Sequence, residues 1–231
     1  MVIPFLNEQA TLAALVQRVL HAPLPEGWTR ELILVDDGST DRSPEIAHQL
    51  AMAHHNVLLV RHGHNRGKGA AVRTGFGLAR GEVVIVQDAD LEYDPRDYAR
   101  ILRAFDRTAA AAVYGSRVLG RTGTRYRRYW FGGRFVTTAN NLLFGATLTD
   151  QPTCYKAVRR DVLQQLELTE DGFTFCTELT CKLLAGGHRI REVPIRYQPR
   201  SFEEGKKIRP TDGIRAILTM LRIRLAGLFG T

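Results

Sequence analysis

Two carboxylate pairs stand out in the first hundred residues. One is Asp36-Asp37, followed by Gly38-Ser39; the other is Asp88-Ala89-Asp90, with Glu92 two positions on. Asp88 and Asp90 flank a single residue, so at a strand end both can turn toward one hard cation, with Glu92 within reach from the next loop. An all-oxygen set with no His or Cys beside it suits Mg²⁺ or Mn²⁺. Either pair alone could simply form turns, with Asp94 capping a helix. Two acid sites at one edge, facing a basic second half, describe a pocket for a metal-bound pyrophosphate.

The apolar pattern shows which elements would bring these residues together. Residues 2–3 form a strand stub closed by Pro4. Leu12, Leu15, Val16 and Val19 carry helical spacing over residues 7–20, which Pro23 and Pro25 end. Continuous apolar runs at 32–35, 57–60, 83–86 and 110–115 read as buried parallel strands. Between them the spacing predicts helices capped by Asp41 and running to His54, over 68–78, and from Pro95. Such alternation means an α/β fold, with a mostly parallel sheet and helices on both faces. Ligands then bind outside the carboxyl ends of the strands, where Asp36-Asp37 and Asp88–Asp90 both fall. The second half is less regular, with helices over 129–144 and around 175–185 and strands at 154–158 and 189–197. A last amphipathic helix follows Asp212. The expected organisation is one catalytic domain over 1–211 and a C-terminal helix over 212–231.

Glycine motifs are weaker guides. Gly63-His-Asn-Arg-Gly67-Lys68 is one residue short of a P-loop and continues with Gly69 rather than Ser or Thr. A tight strand-to-helix turn is the simpler reading; ligand contact is the other.

Composition narrows the class. The chain has 231 residues, 44% hydrophobic and 24% charged, which excludes a disordered or collagenous protein. Its three cysteines make neither a disulfide framework nor a zinc site, as expected of a reducing compartment. No apolar run reaches the roughly 18 residues a membrane span needs, and no signal-peptide pattern opens the chain. The net charge is +8, with six arginines and no acid from Arg117 to Arg134. That excess suits phosphate-rich partners. Nucleic acid is not the expected one, because a binding module would give no reason for acidic pairs at strand ends.

Val2-Ile-Pro-Phe-Leu-Asn-Glu8, Leu34-Val-Asp-Asp-Gly-Ser39, Gln87-Asp-Ala-Asp90 and Gly115-Ser-Arg117, in that order, resemble the family 2 glycosyltransferases of GT-A fold. Thr149-Asp-Gln-Pro-Thr-Cys-Tyr-Lys156 and Arg200-Ser-Phe-Glu-Glu-Gly-Lys-Lys-Ile208 are similar to the polyprenyl-phosphate branch of that family. The resemblance implies that Pro4, Phe5, Glu8 and Asp37 cradle the base and ribose of a UDP- or GDP-hexose. It implies that Asp88 and Asp90 form the DxD motif that binds metal and ribose, with Glu92 as a further ligand. Arg117 would face the donor or acceptor phosphates, and Asp150 holds the place often assigned to catalysis. Arg200 and Lys206 would close over the pyrophosphate on a mobile loop.

The implied reaction is an inverting displacement at the anomeric carbon, with a polyprenyl (dolichyl or undecaprenyl) phosphate as acceptor. Charge on the departing diphosphate would be offset by the divalent ion and by Arg and Lys. An acceptor phosphate is already ionised, since its second pKa is about 6, so Asp150 need not be a strong base. A soluble sugar, glycan or phosphorylated metabolite as acceptor is the alternative. The C-terminal helix decides between them: Ile214, Ile217, Leu218, Leu221, Leu225, Leu228 and Phe229 share one arc, with Arg215, Thr219 and Arg222 opposite. A core-facing helix shows the same stripe. The missing acid after Asp212 favours a peripheral contact with the cytoplasmic face of a membrane, with the helix at 131–144 as a second contact.

Overall fold

The structure, a computed structural model, describes residues 1–121, 127–200 and 210–228. Three strands open the sheet: β1 (Val2–Phe5), β2 (Leu32–Asp36) and β3 (Val57–Arg61), paired in parallel in the order β1-β2-β3. The remainder are β4 (Val83–Ile85), β5 (Ala112–Ser116), β6 (Lys156–Arg159) and β7 (Ile190–Pro194), ordered β4-β6-β5-β7. A parallel bridge from Val2 to Val86, and the Gln87 N–H donated to Val2 O at 2.9 Å, join the two parts. The continuous order is therefore β3-β2-β1-β4-β6-β5-β7.

β6, whose direction the pattern left open, runs antiparallel to both β4 and β5 in an otherwise parallel sheet. An apolar run reads the same in either direction, so patterning could not show this. The chain leaves β5 at the carboxyl edge, passes through α5 (Arg127–Phe144) and re-enters the sheet from that same edge. The reversal sets residues 149–155 where ligands bind.

The remaining helices are α1 (Leu12–His21), α2 (Ser43–Ala53), α3 (Lys68–Leu78), α4 (Tyr98–Asp106, after a 3₁₀ turn at Pro95–Asp97), α6 (Arg160–Gln164), α7 (Phe175–Ala185) and α8 (Pro210–Leu228). α1 begins five residues later than its spacing suggests. Asn7 takes a left-handed φ of 55°, and Thr11 and Leu12 both donate N–H to Glu8 O, so residues 7–11 make a turn. Asp41 lies just outside α2, where its Oδ1 accepts from Ser43 N at 2.9 Å.

β2 and β5 are buried at every position, as strands covered on both faces must be. Each fully buried Leu, Ile or Val contributes roughly 1.5–3 kcal/mol. A smaller cluster of Val136, Cys181, Ala216, Met220 and Ile223 joins α5, α7 and α8. α8 therefore turns Ala216, Thr219, Met220 and Ile223 inward and leaves Ile214, Leu218, Leu221 and Leu225 exposed. Thr219 thus lies in the core, against the expectation that placed it on the polar side. Small and flexible side chains let α8 approach α5 and α7 closely, while the bulky stripe points outward. No helix of the described residues is long and apolar enough to cross a membrane.

Candidate active site

The ends of β1, β2, β4 and β5 converge at the carboxyl edge, as the motif order requires. Pro4 and Phe5 are buried at the end of β1. The turn beyond them is stapled to the start of α2. Asn7 N donates to Ser39 Oγ at 3.0 Å, Glu8 N donates to Ser43 Oγ at 2.8 Å, and Asn7 Oδ1 accepts from Thr40 N at 2.8 Å. This fixes Glu8, whose Oε2 accepts from Thr11 Oγ1 at 3.0 Å and from the Arg200 guanidinium at 3.1 Å.

Asp36 is wholly buried, taking Ser39 N on Oδ1 at 2.8 Å and facing Arg61 Nε at 3.1 Å with Oδ2. Asp37 organises the neighbouring loop. Its Oδ1 accepts from His62 Nδ1 at 2.8 Å and Arg66 N at 3.0 Å, and its Oδ2 from Gly67 N at 2.8 Å. His62 Nε2 in turn lies 3.0 Å from the Thr74 hydroxyl. Gly38 (φ 80°) lets this loop come close, because a Cβ there would lie 2.6 Å from the His64 carbonyl carbon. The glycines at 67 and 69 make room in the same way for Glu170 and Asp171. Gly69 and Ala70 donate their N–H groups to Asp171 O, at 2.6 and 3.2 Å. The start of α3 is thus closed by the chain itself, as the tight-turn reading has it.

That turn delivers Lys68, a residue whose role motif reading missed. Its Nζ lies 2.5 Å from Asp88 Oδ1 and 5.7 Å from the centroid of the Phe173 ring. Burial opposes its charge, but Asp88 more than compensates and holds the ammonium above the ordinary lysine value. Asp90 moves the other way. Burial, then the nearby charges of Asp88 and Glu92, raise its carboxyl well above the usual range. Two adjacent carboxylates with one ammonium, paired to Asp88, leave uncompensated negative charge, and this donor set fits a divalent cation.

Glu92 lies beside that pair, its N–H donating to Asp90 Oδ1 at 3.1 Å, but its carboxylate is engaged elsewhere. Its Oε2 accepts from Tyr197 OH at 2.7 Å and its Oε1 from Arg200 N at 2.8 Å, beyond a reversal at Leu91 (φ 62°). Among the described residues no three acidic, His or Cys side chains gather in a way that could hold a metal, so the expected Asp88–Asp90–Glu92 set is not assembled. Glu92 is engaged in holding the segment after β7 against the DxD loop. The physical chemistry allows it: Mg²⁺ is commonly bound by one or two carboxylates, with phosphate and water oxygens completing the shell. Arg200 locks the same corner, donating Nε–H to Asp90 O at 2.6 Å while its Nη2 reaches Glu8.

On the other side of the cleft Arg117 and Asp150 form a bidentate pair. Asp150 Oδ2 accepts from Arg117 N at 2.9 Å and Nε at 2.8 Å, and Oδ1 accepts from Nη2 at 2.7 Å. The guanidinium also lies over Tyr197, 5.1 Å from the ring centroid. Burial raises the Asp150 carboxyl, but the charge and hydrogen bonds of Arg117 outweigh that and leave it below the usual value. Tyr197 touches both Glu92 and Arg117 and so links the two halves of the site; its isolated position in the sequence offered no signal. Lys206, Lys207 and the loop around Gly205 lie outside the described residues.

These features are a carboxylate pair suited to a divalent cation, at the carboxyl edge of a mostly parallel sheet and flanked by arginines. They make a candidate transferase site on an α/β fold of the GT-A kind. Residues 1–167 match the glycosyl transferase family 2 model, and the chain belongs to that family. Among its relatives, polyprenol monophosphomannose synthase of Mycolicibacterium smegmatis is 34% identical over 217 residues, 89% of this chain and 79% of that protein. An undecaprenyl-phosphate 4-deoxy-4-formamido-L-arabinose transferase of Edwardsiella ictaluri is 31% identical over 209 residues; the match covers 89% of this chain but 61% of that longer protein. Among solved structures, glucosyl-3-phosphoglycerate synthase of Mycobacterium tuberculosis, with Mn²⁺, UDP-glucose and phosphoglyceric acid, superimposes with a TM-score of 0.70. It is 21% identical, with 96% of this chain and 78% of that one covered, and shares the fold.

Proposed function

We propose that this protein moves a hexose from a UDP- or GDP-sugar to a polyprenyl phosphate at a membrane surface, with inversion. One observation carries the reading. Asp150, in the place that the family resemblance assigns to catalysis, is committed to Arg117 and held below its ordinary pKa. A base needs a pKa near the working pH. With Asp150 so committed, the site suits a nucleophile that arrives ionised, and a phosphate monoester does so.

The residues then divide the work. Arg200 and Glu8 hold the donor side together, and Lys68 sets a positive charge beside Asp88. Arg117 orients the acceptor phosphate, its direction fixed by Asp150. A divalent ion bound by Asp88, Asp90 and the diphosphate would supply charge stabilisation to the leaving group.

Support for a lipid acceptor comes from α5 and α8. Phe131, Phe135, Leu142, Ile214, Leu218, Leu221 and Leu225 stay exposed on two helices that pack together, with Arg215, Arg222 and Arg224 exposed on α8. A helix with bulky apolar residues outward and basic residues beside them suits an anionic lipid interface. The names of the two relatives point to the same acceptor class. The reading places the protein peripherally on the cytoplasmic face. The test is a panel of nucleotide sugars offered with a short polyprenyl phosphate, the matching polyprenol and 3-phosphoglycerate. Transfer to the polyprenyl phosphate alone is expected. Equal transfer to the polyprenol removes the argument from Asp150, and transfer only to 3-phosphoglycerate replaces the lipid by a soluble phosphate.

A further inference from the structure

The turn at residues 149–151 is held from three directions by groups given no role so far. From β7, Glu192 Oε1 accepts from Asp150 N at 2.9 Å, while Oε2 accepts from Thr149 N at 2.7 Å and Thr149 Oγ1 at 2.9 Å. From β6, the buried Lys156 Nζ donates to Gln151 O at 2.6 Å and to Thr180 Oγ1 at 3.1 Å, above the ring of Tyr114 at 3.9 Å. From α5, Thr137 Oγ1 accepts from Gln151 N at 3.1 Å. Among the described residues, no cation lies within ion-pair distance of Glu192 and no carboxylate within that distance of Lys156. Their charges are met through the turn itself. Glu192 takes the N–H groups on one side of Asp150, and Lys156 takes the carbonyl of the residue on the other.

Lys156 is buried and Glu192 half-buried, and neither has a contact ion pair among the described residues; a charge placed so is a costly way to hold a turn, and a neutral side chain would do it more cheaply. What the arrangement secures is direction. Arg117 is fixed at three atoms by Asp150. Asp150 is fixed by its own N–H on Glu192. We propose that Glu192 is a positioning residue for the transfer reaction, acting through Asp150 on Arg117, with Lys156 as the opposing anchor. This deepens the proposed function and rests on its placement of Arg117 at the acceptor phosphate.

Glu192→Gln keeps the shape but sets an amide N–H₂ against at least one N–H or O–H donor. Glu192→Asp keeps the charge, one methylene too short to serve both residues 149 and 150. A displacement of about 1 Å at Arg117 predicts a loss of about 10²-fold in acceptor kcat/KM for E192Q and about tenfold for E192D. Donor affinity, measured by nucleotide binding with Mg²⁺, should stay within about twofold, which a general loss of structure would not allow. In an Asp150→Asn background the same E192Q change should cost less than about threefold, because the path is already cut. Wild-type acceptor kinetics in a folded E192Q, or the full loss in the D150N background, overturn the proposal. If E192Q does not fold, wild-type acceptor kinetics in E192D overturn it instead. Should the wild-type protein fail to use polyprenyl phosphate, the acceptor reading falls separately. The Nε–Hε NMR cross-peak of Arg117 then decides: a shift or broadening in E192Q supports the positioning role, and an unchanged peak overturns it.

Discussion

Replacing Asp150 by Asn separates a positioning carboxylate from a catalytic base. The carboxylate takes three hydrogen bonds from Arg117 at 2.7–2.9 Å. Asn can keep one oxygen toward the Arg117 N–H and Nε–H, but it turns an amide N–H₂ toward Nη2. One charge-assisted bond becomes a contact between donors. Removing one partner of a buried ion pair costs about 3–5 kcal/mol. The Arg117 side chain is 25% exposed and lies over Tyr197, so water and the ring recover part of this, and about 2–3 kcal/mol is expected. Denaturant unfolding at pH 7 measures it. The pH dependence follows from the lowered pKa. Such a carboxylate contributes its stability above the unfolded value of about 4 and loses it as pH falls through the lower folded value. The gap between wild type and variant should hold from pH 8 to about 5 and close below about 4. In activity, D150N should lower acceptor kcat/KM by about 10²-fold through misplacement of Arg117. A wild-type acid limb in kcat near pH 6–7 that vanishes in D150N, with acceptor KM unchanged, would refute the reasoning and make Asp150 a base.

Three further expectations follow from the same structure. Asp90→Asn should abolish transfer with the melting curve nearly unchanged, because it relieves repulsion with Asp88 and Glu92 while removing a metal-binding charge; full activity of metal-free enzyme in excess chelator contradicts it. Gly69→Ala places a methyl against Glu170 O and 2.9 Å from Phe175 Cβ. It should destabilise by about 1–3 kcal/mol, and an unchanged denaturation midpoint would show that the segment before α7 can move away. Leu218→Glu and Leu221→Glu together should abolish sedimentation with anionic vesicles at low salt; undiminished sedimentation would exclude α8 as the contact.

Local chemistry was enough for much of this protein. The helices at 68–78 and 175–185 are bounded where spacing and glycine placed them, and the strand ends carry Asp36, Asp37 and Asp88 as the apolar runs implied. Those features depend on neighbours in the chain, and so the sequence by itself determines them. Other decisions belong to contacts between distant segments. The direction of β6 is set by a connection that returns at the edge it left, which no hydrophobic period records. Glu92 looked like a third ligand because it follows Asp90 by two residues. Its carboxylate oxygens are instead taken by Tyr197 and Arg200, more than a hundred residues later. Lys68, at the start of a helix, becomes a site residue only because Asp37 holds the loop that carries it to Asp88. The apolar stripe of α8 was legible and its outward facing was the favoured expectation, but the inward face that carries Thr219 was not. Whether Leu218 and Leu221 are core or surface depends on whether α5 and α7 accept that face or the Ala216–Met220–Ile223 face beside it, and close packing selected the latter.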